Sequence, residues 1–267
     1  MRALKMNGTG NAFLLIDARS TDIGITPERL SAWAKKHEFD QVLKLEPSEH
    51  GDARYRIWNR DSGEVGACGN GARCAGWYLC ETSNAASARL DTAYGLTDAI
   101  RTGDFRMSVD LGEAHTDWRD IPLAREMDTR ALDYEIEMDG HRLRRPGAVS
   151  MGNPHAVFFI DPLDGLPVET LGPRIEHDPL FPERVNAGFV QVLARDHIRL
   201  RVWERGAGLT KACGTGAAAA VVAGVRRDLL ERECRVDVDG GRLQIDWKQD
   251  NHVWLDGPVE LDGEVEL

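Results

Sequence analysis

The chain repeats itself. At an offset of 145 residues, "RIWNRDSGEVGACGNGA" (56–72) lies on "RVWERGAGLTKACGTGA" (201–217) without a gap, and nine of the seventeen positions are identical. The identities include Trp58/Trp203, Arg60/Arg205, Cys68/Cys213, Gly69/Gly214 and Gly71/Gly216. Upstream, "GNAFLLID" (10–17) resembles "GNPHAVFFID" (152–161), which has two extra residues, and "QVL" from Gln41 resembles "QVL" from Gln191. Matches in one order, including rare tryptophans and cysteines, read as two copies of one fold. The period far exceeds that of a solenoid, so each copy is predicted to be a domain. The halves run over 1–114 with Cys68 and 115–257 with Cys213, and a tail, 258–267, is expected to return to the first half.

Each copy has the same coarse order. An apolar strand follows Asn11 or Asn153, and a helix is predicted over 27–37 in the first copy. Alternating strands, "RYRIWNR" and "HIRLRVWER", lead to the cysteines. Past each cysteine, "GARCAGWYLCET" and "GAAAAVVAGVRRDLLE" are apolar on several faces, the pattern of a buried helix. The expected fold class is therefore α/β: two pseudo-symmetric domains, each a curved, barrel-like mixed sheet around a central helix. The charged segment 113–147 reads as a crossover, and Asp239-Gly240-Gly241 as a strand turn.

Composition narrows the function. The 267 residues carry a formal charge of −11, with 42% hydrophobic and 29% charged residues, as in a soluble globular protein. No basic stripe interleaves with aromatics, so nucleic acid is not an expected partner. The start lacks the apolar run of a signal peptide, and "AAAAVVAGV" is too short to span a bilayer. A cytoplasmic protein without a membrane partner is expected. Five widely spaced cysteines argue against a disulfide scaffold. Neither CxxC nor HExxH occurs, so no metal site is expected. Cys74, Cys80 and Cys234 read as core thiols.

Cys68 and Cys213 each precede a glycine-rich helix start. Unpaired N–H groups there favour a thiolate and can also hold a carboxylate. One such site could serve as a nucleophile, a redox thiol or an anion nest. Two in a pseudo-symmetric pair suggest an acid and a base facing one cleft, where a carbon acid loses its proton on one face and gains one on the other. A thiol-redox or anion-binding protein is the alternative from another class, although redox pairs usually lie close in sequence.

The segments "KMNGTGNAF", "FDQ", "NRDSGEVGACGNGARC", "SMGNPHAVF", "FPERVNAGFVQV" and "WERGAGLTKACGTGA" resemble the diaminopimelate epimerase family over nearly the whole chain. The resemblance implies an isomerase without cofactor that interconverts LL- and meso-2,6-diaminoheptanedioate in lysine and peptidoglycan-precursor synthesis. Its partner is a small amino-acid substrate, and the family's homodimer is the assembly implied. Cys68 and Cys213 would be the acid/base thiols. Asn11, Gln41, Asn59, Asn153 and Asn186 would hydrogen-bond the substrate. Gly69 with Asn70, and Gly214 with Thr215, would offer helix-start N–H groups to its carboxylate. Glu204 and Arg205 would bind its amino and carboxylate groups, and His155 would tune a thiol. Related enzymes of this fold act on histidine or proline derivatives, which keeps a same-fold racemase as the nearer alternative. The chain departs from the family pattern at Asn7 and Ala12, at Asp61-Ser62-Gly63-Glu64, and in an end that lacks a tyrosine.

Overall fold

Period-two burial is plainest in "ARYRIWN", where Ala53, Tyr55 and Ile57 are buried and Arg54 and Arg56 are not. The computed structural model describes residues 1–138 and 140–267. In chain order it contains β1 (Arg2–Gly8), β2 (Asn11–Asp17), α1 (Pro27–Lys36), β3 (Gln41–Glu46), β4 (Ala53–Asn59), β5 (Glu64–Val65), α2 (Gly69–Ser83), β6 (Ser87–Thr92), β7 (Gly95–Gly103) and β8 (Arg106–Glu113). Next come β9 (Glu135–Met138), β10 (His141–Arg144), β11 (Gly147–Ser150), β12 (Pro154–Phe159), α3 (Val168–Glu176), β13 (Asn186–Ala194), β14 (His197–Glu204) and β15 (Gly208–Thr210). The chain ends with α4 (Gly214–Arg226), β16 (Glu233–Val238), β17 (Gly241–Trp247), β18 (His252–Pro258) and β19 (Glu260–Glu266). Two compact units form: Met1–Asp110 with Asp256–Leu267, and Leu111–Leu255.

In the first unit β1 pairs antiparallel with β19 and β2. β2 runs parallel to β3, β3 antiparallel to β4, and β4 parallel to β6. β7 and β8 follow antiparallel. The second unit repeats this order: β11 antiparallel to β12, β12 parallel to β13, β13 antiparallel to β14, β14 parallel to β16, and β16 antiparallel to β17. α2 touches β1, β2, β3, β6 and β7, and α4 touches β11, β12, β13, β14 and β17. A helix is too narrow for a flat sheet to reach with so many strands, so each sheet curls around its helix. The small residues Ala217–Ala220 of α4 are wholly buried and let the strands close in.

α1 starts at the Thr26 N-cap with Pro27 in the first turn. It lays Leu30 and Trp33 on Leu14, Ile16, Val42 and Trp58. The first sheet is thus covered on both faces. His37, expected to be helical, is the C-cap. The 113–147 segment is more than a crossover: Ile121, Leu123, Leu132 and Leu143 belong to the second unit's core. Its apolar residues are spaced singly among charges, which hid that role. α3 has no clear sequence signal because Pro173 lies inside it. The turn before Gly241 holds two residues, with Val238 opposite Gly241.

The registers also correct one repeat match. Gln41 lies opposite Phe13 in the β2–β3 pair, and Asn186 lies opposite His155 in the β12–β13 pair. Phe13 and His155 each stand two residues past a Gly-Asn step, so the counterpart of Gln41 is Asn186. Gln191 instead donates from Nε2 to Asp161 Oδ1 at 2.9 Å. The shared "QVL" matched residue types at different places in the strand.

Candidate active site

Each repeated cysteine is the N-cap of its helix. Cys68 and Cys213 have extended backbones, φ −151° and −120°. Their sulfurs accept the third-residue N–H: Gly71 N to Cys68 Sγ at 3.4 Å and Gly216 N to Cys213 Sγ at 3.3 Å. The sulfur takes the place of the usual Ser or Asp oxygen in an N-cap. The first-turn N–H groups of Gly69 and Asn70, and of Gly214 and Thr215, lie outside the helical ladder and concentrate positive potential. The repeated glycine at the third position is sterically set. A Cβ on Gly71 would sit 2.4 Å from Tyr55 Oη, and one on Gly216 would sit 2.9 Å from Val202 Cγ2.

Around Cys68, Asn70 Nδ2 donates to Asn11 Oδ1 at 2.6 Å. Gln41 Nε2 donates to Asn59 Oδ1 at 2.8 Å across the β3–β4 pair. Two residues absent from the expected set shape this cluster. Tyr55 Oη donates to the Cys68 carbonyl at 3.3 Å. Arg73, fully buried, donates to Asn70 Oδ1 at 2.9 Å and to Thr9 Oγ1 at 2.7 Å. Its cation also attracts negative charge on Cys68. The sequence did carry a signal for Arg73: it is the one basic residue of α2, set among the small residues of its first two turns.

The second unit gathers His155, Asn153, Thr215, Glu204 and Cys213. His155 is wholly buried, and burial followed by the Arg205 charge pushes its pKa down to about 3, so it is neutral at physiological pH. Its Nε2 lies 3.1 Å from Asn153 Oδ1 and 3.2 Å from Thr215 Oγ1. An amide oxygen only accepts, which places the imidazole proton on Nε2. Asn153 Nδ2 donates to Thr215 Oγ1 at 3.3 Å. The Thr215 hydroxyl is then left to donate to Cys213 Sγ, 3.6 Å away.

Glu204 lies on the other side of the Cys213 sulfur. Burial raises its pKa, while it accepts hydrogen bonds from Thr210 Oγ1, at 2.5 Å, and from the Cys213 thiol. Burial and then the Glu204 charge push the Cys213 thiol well above its ordinary range, against the Thr215 and Gly216 hydrogen bonds. Cys213 is thus a protonated thiol at neutral pH, with Glu204 beside it. Asn186 is tied at both ends: its Nδ2 donates to the Pro154 carbonyl at 2.8 Å, and its Oδ1 accepts Arg205 N–H at 2.9 Å. Arg205 Nη1 donates to the Glu183 carbonyl. Glu176, also absent from the expected set, holds the neighbouring loop through Gly206 N–H at 2.9 Å and Trp203 Nε1 at 2.7 Å. Cys74, Cys80 and Cys234 are buried, and burial raises each thiol.

The family model described as diaminopimelate epimerase matches residues 3–116 and 147–261. The chain belongs to the diaminopimelate epimerase family. It is 48% identical over 267 residues to the diaminopimelate epimerase of Phenylobacterium zucineum, covering 99% of this chain and 96% of that one. It is 44% identical to the enzyme of that name from Caulobacter vibrioides strain NA1000, covering 97% and 94%. Among solved structures, a hydroxyproline epimerase from Agrobacterium vitis has the same fold, with a TM-score of 0.69 at 16% identity, over 100% of this chain and 90% of that one. Membership makes the chain an isomerase of the epimerase class. No helix among the described residues is long and apolar enough to cross a membrane.

Proposed function

We propose that this chain interconverts LL- and meso-2,6-diaminoheptanedioate by moving a proton at the α-carbon, with Cys68 and Cys213 as base and acid. The observation that carries this reading is the recurrence of one device: a thiol sulfur that N-caps a buried helix at the same place in both repeated units. Relatives bearing the epimerase name, 44–48% identical over nearly the whole chain, supply the substrate.

In one direction the Cys68 thiolate takes the α-proton and becomes a thiol. The electron pair left on carbon spreads into the adjacent carboxylate, which first-turn N–H groups stabilise. The Cys213 thiol then gives its proton to the opposite face and becomes a thiolate. Burial and the Glu204 charge keep Cys213 protonated, which suits it to start as the acid in this direction. The reverse reaction exchanges their roles. Asn11, Gln41, Asn59, Asn153, Asn186 and Arg205 are proposed to hold the polar ends of the substrate, and Glu204 its ammonium group. Thiols that must cycle through thiolate fit a reducing compartment, and we place the protein in the cytoplasm.

The test is incubation of the purified protein with LL-diaminopimelate and chiral analysis of the products, with proline and hydroxyproline as controls. The reading expects the meso isomer to accumulate toward equilibrium. Turnover of either control with no change in diaminopimelate would transfer the assignment to another racemase of this fold.

A further inference from the structure

Arg73 is the largest wholly buried side chain of the described residues. It makes no ion pair among the described residues, and its Nε has no hydrogen-bond partner. Burial lowers its pKa to about 10, which still leaves it a cation at neutral pH. A buried guanidinium without a carboxylate is expensive to keep. The fold does not demand one, because the repeat puts Ala218 at the equivalent place, five residues past Cys213.

We propose that Arg73 is a positioning residue that fixes the direction of the Asn70–Asn11 hydrogen bond and so makes Asn11 a donor toward a substrate carboxylate. The substrate in this statement rests on the epimerase reading above. A guanidinium only donates. Asn70 must therefore turn Oδ1 to Arg73 Nη1, and its Nδ2 is committed to the Asn11 side, where it meets Asn11 Oδ1 at 2.6 Å. The Asn11 oxygen is then occupied, and Nδ2 is the donor end of the chain. Without a donor-only group at its origin, each amide can turn over and reverse the sense of the whole chain.

The second unit reads in the opposite sense. Asn153, the counterpart of Asn11, donates to Thr215, the counterpart of Asn70, and its oxygen faces His155 Nε2. Arg73 is thus where the repeat breaks its own symmetry.

A second hold supports the assignment. Thr9 has φ 57°, an unfavourable value for a β-branched residue, in the two-residue turn that joins β1 to β2. The other Arg73 nitrogen, Nη2, grips its hydroxyl, and Gly10 N–H donates to Asn7 Oδ1 at 2.8 Å. One guanidinium therefore ties the turn just before Asn11 to the helix residue that faces it.

The test uses the full-length enzyme with meso-diaminopimelate as the probe. Steady-state kinetics are measured for wild type, Arg73→Lys and Arg73→Gln, and side-chain amide resonances are followed with 15N-asparagine. Lysine donates only and should keep KM within about threefold. Glutamine can accept as well as donate. It should raise KM about tenfold or more, with a smaller change in kcat, and shift the Asn11 amide resonance. A folded Arg73→Gln protein with wild-type KM overturns the proposal, and so does an Arg73→Lys protein as impaired as Arg73→Gln. If neither variant folds, the wild type decides, because an Asn11 amide resonance unmoved by saturating meso-diaminopimelate also overturns it. Wild-type turnover separates the two readings. An active wild type with an indifferent Arg73→Gln variant loses this inference alone. A wild type inactive on LL-diaminopimelate loses the epimerase reading, while the Asn11 resonance in Arg73→Gln still reports on the amide chain.

Discussion

His155 stands where Phe13 stands: each faces the first residue of the next parallel strand, Asn186 or Gln41, and both rings are wholly buried. One unit spends this position on a phenyl ring, the other on an imidazole that organises Asn153 and Thr215 behind Cys213. The proton balance of that imidazole is testable. Its pKa is lowered to about 3 in the folded protein, whereas an unfolded histidine titrates near 6.5. Between these values the unfolded chain binds a proton that the folded one does not. The stability contribution is therefore present above about pH 6.5 and declines as pH falls toward the folded value, at a limiting slope of about 1.4 kcal/mol per pH unit. His155→Phe should flatten that acid slope by about one proton in urea denaturation at stepped pH. An unchanged slope would contradict a neutral buried imidazole.

Glu204 sets the acidity of its neighbour. Its negative charge raises the Cys213 thiol, second only to burial. Glu204→Gln removes the charge and keeps the shape, so Cys213 should ionise at lower pH. Iodoacetamide labelling of Cys213, followed by peptide mass spectrometry across pH, should show its midpoint move toward neutrality. Turnover should fall, because the variant no longer holds the thiol as a ready acid. A midpoint that stays in place would detach Glu204 from the thiol.

The paired glycines should be intolerant of a single methyl. Gly71→Ala places a Cβ against Tyr55 Oη and Leu43, and Gly216→Ala places one 3.2 Å from the Cys213 sulfur itself. Overpacking of this kind costs about 1–3 kcal/mol. Chemical denaturation should register that loss for each variant, with kcat reduced because the sulfur must leave its cap. Wild-type stability and kcat in Gly216→Ala would show that the cap geometry is dispensable.

Legibility from sequence followed how locally each feature is encoded. The Trp–Cys–Gly repeat marks β4, the cysteine cap and the buried helix in one ungapped block, so Asn59 could be matched to Glu204 by counting alone. The match of Gln41 to Gln191 failed because identity of three common residues says nothing about strand register, which hydrogen bonding decides. α3 is poorly encoded locally: Pro173 lies inside it, and tertiary packing of Leu171 and Ile175 carries it. Besides Asn70, three residues back on its helix, Arg73 reaches Thr9, 64 positions away, and Glu176 reaches Trp203, 27 positions away. No spacing rule reaches such partners.

The two-thiol mechanism makes a demand on isotopes. In heavy water each resting thiol exchanges its hydrogen for deuterium. If Cys68 and Cys213 work on opposite faces, the base keeps the abstracted α-proton and the other thiol delivers deuterium. Product formed early should carry α-deuterium, while unreacted substrate stays almost unlabelled. A single base would return original hydrogen to product or spread label through both pools. Cys68→Ala and Cys213→Ala should each abolish epimerisation, since one face loses its proton carrier. The remaining thiol should at most exchange the α-proton of the one isomer that presents hydrogen to it, slowly and with retention. Mass spectrometry of the separated isomers reads both outcomes. Near wild-type epimerisation by the Cys213→Ala protein would refute the mechanism, because the proton on that face would then not come from Cys213.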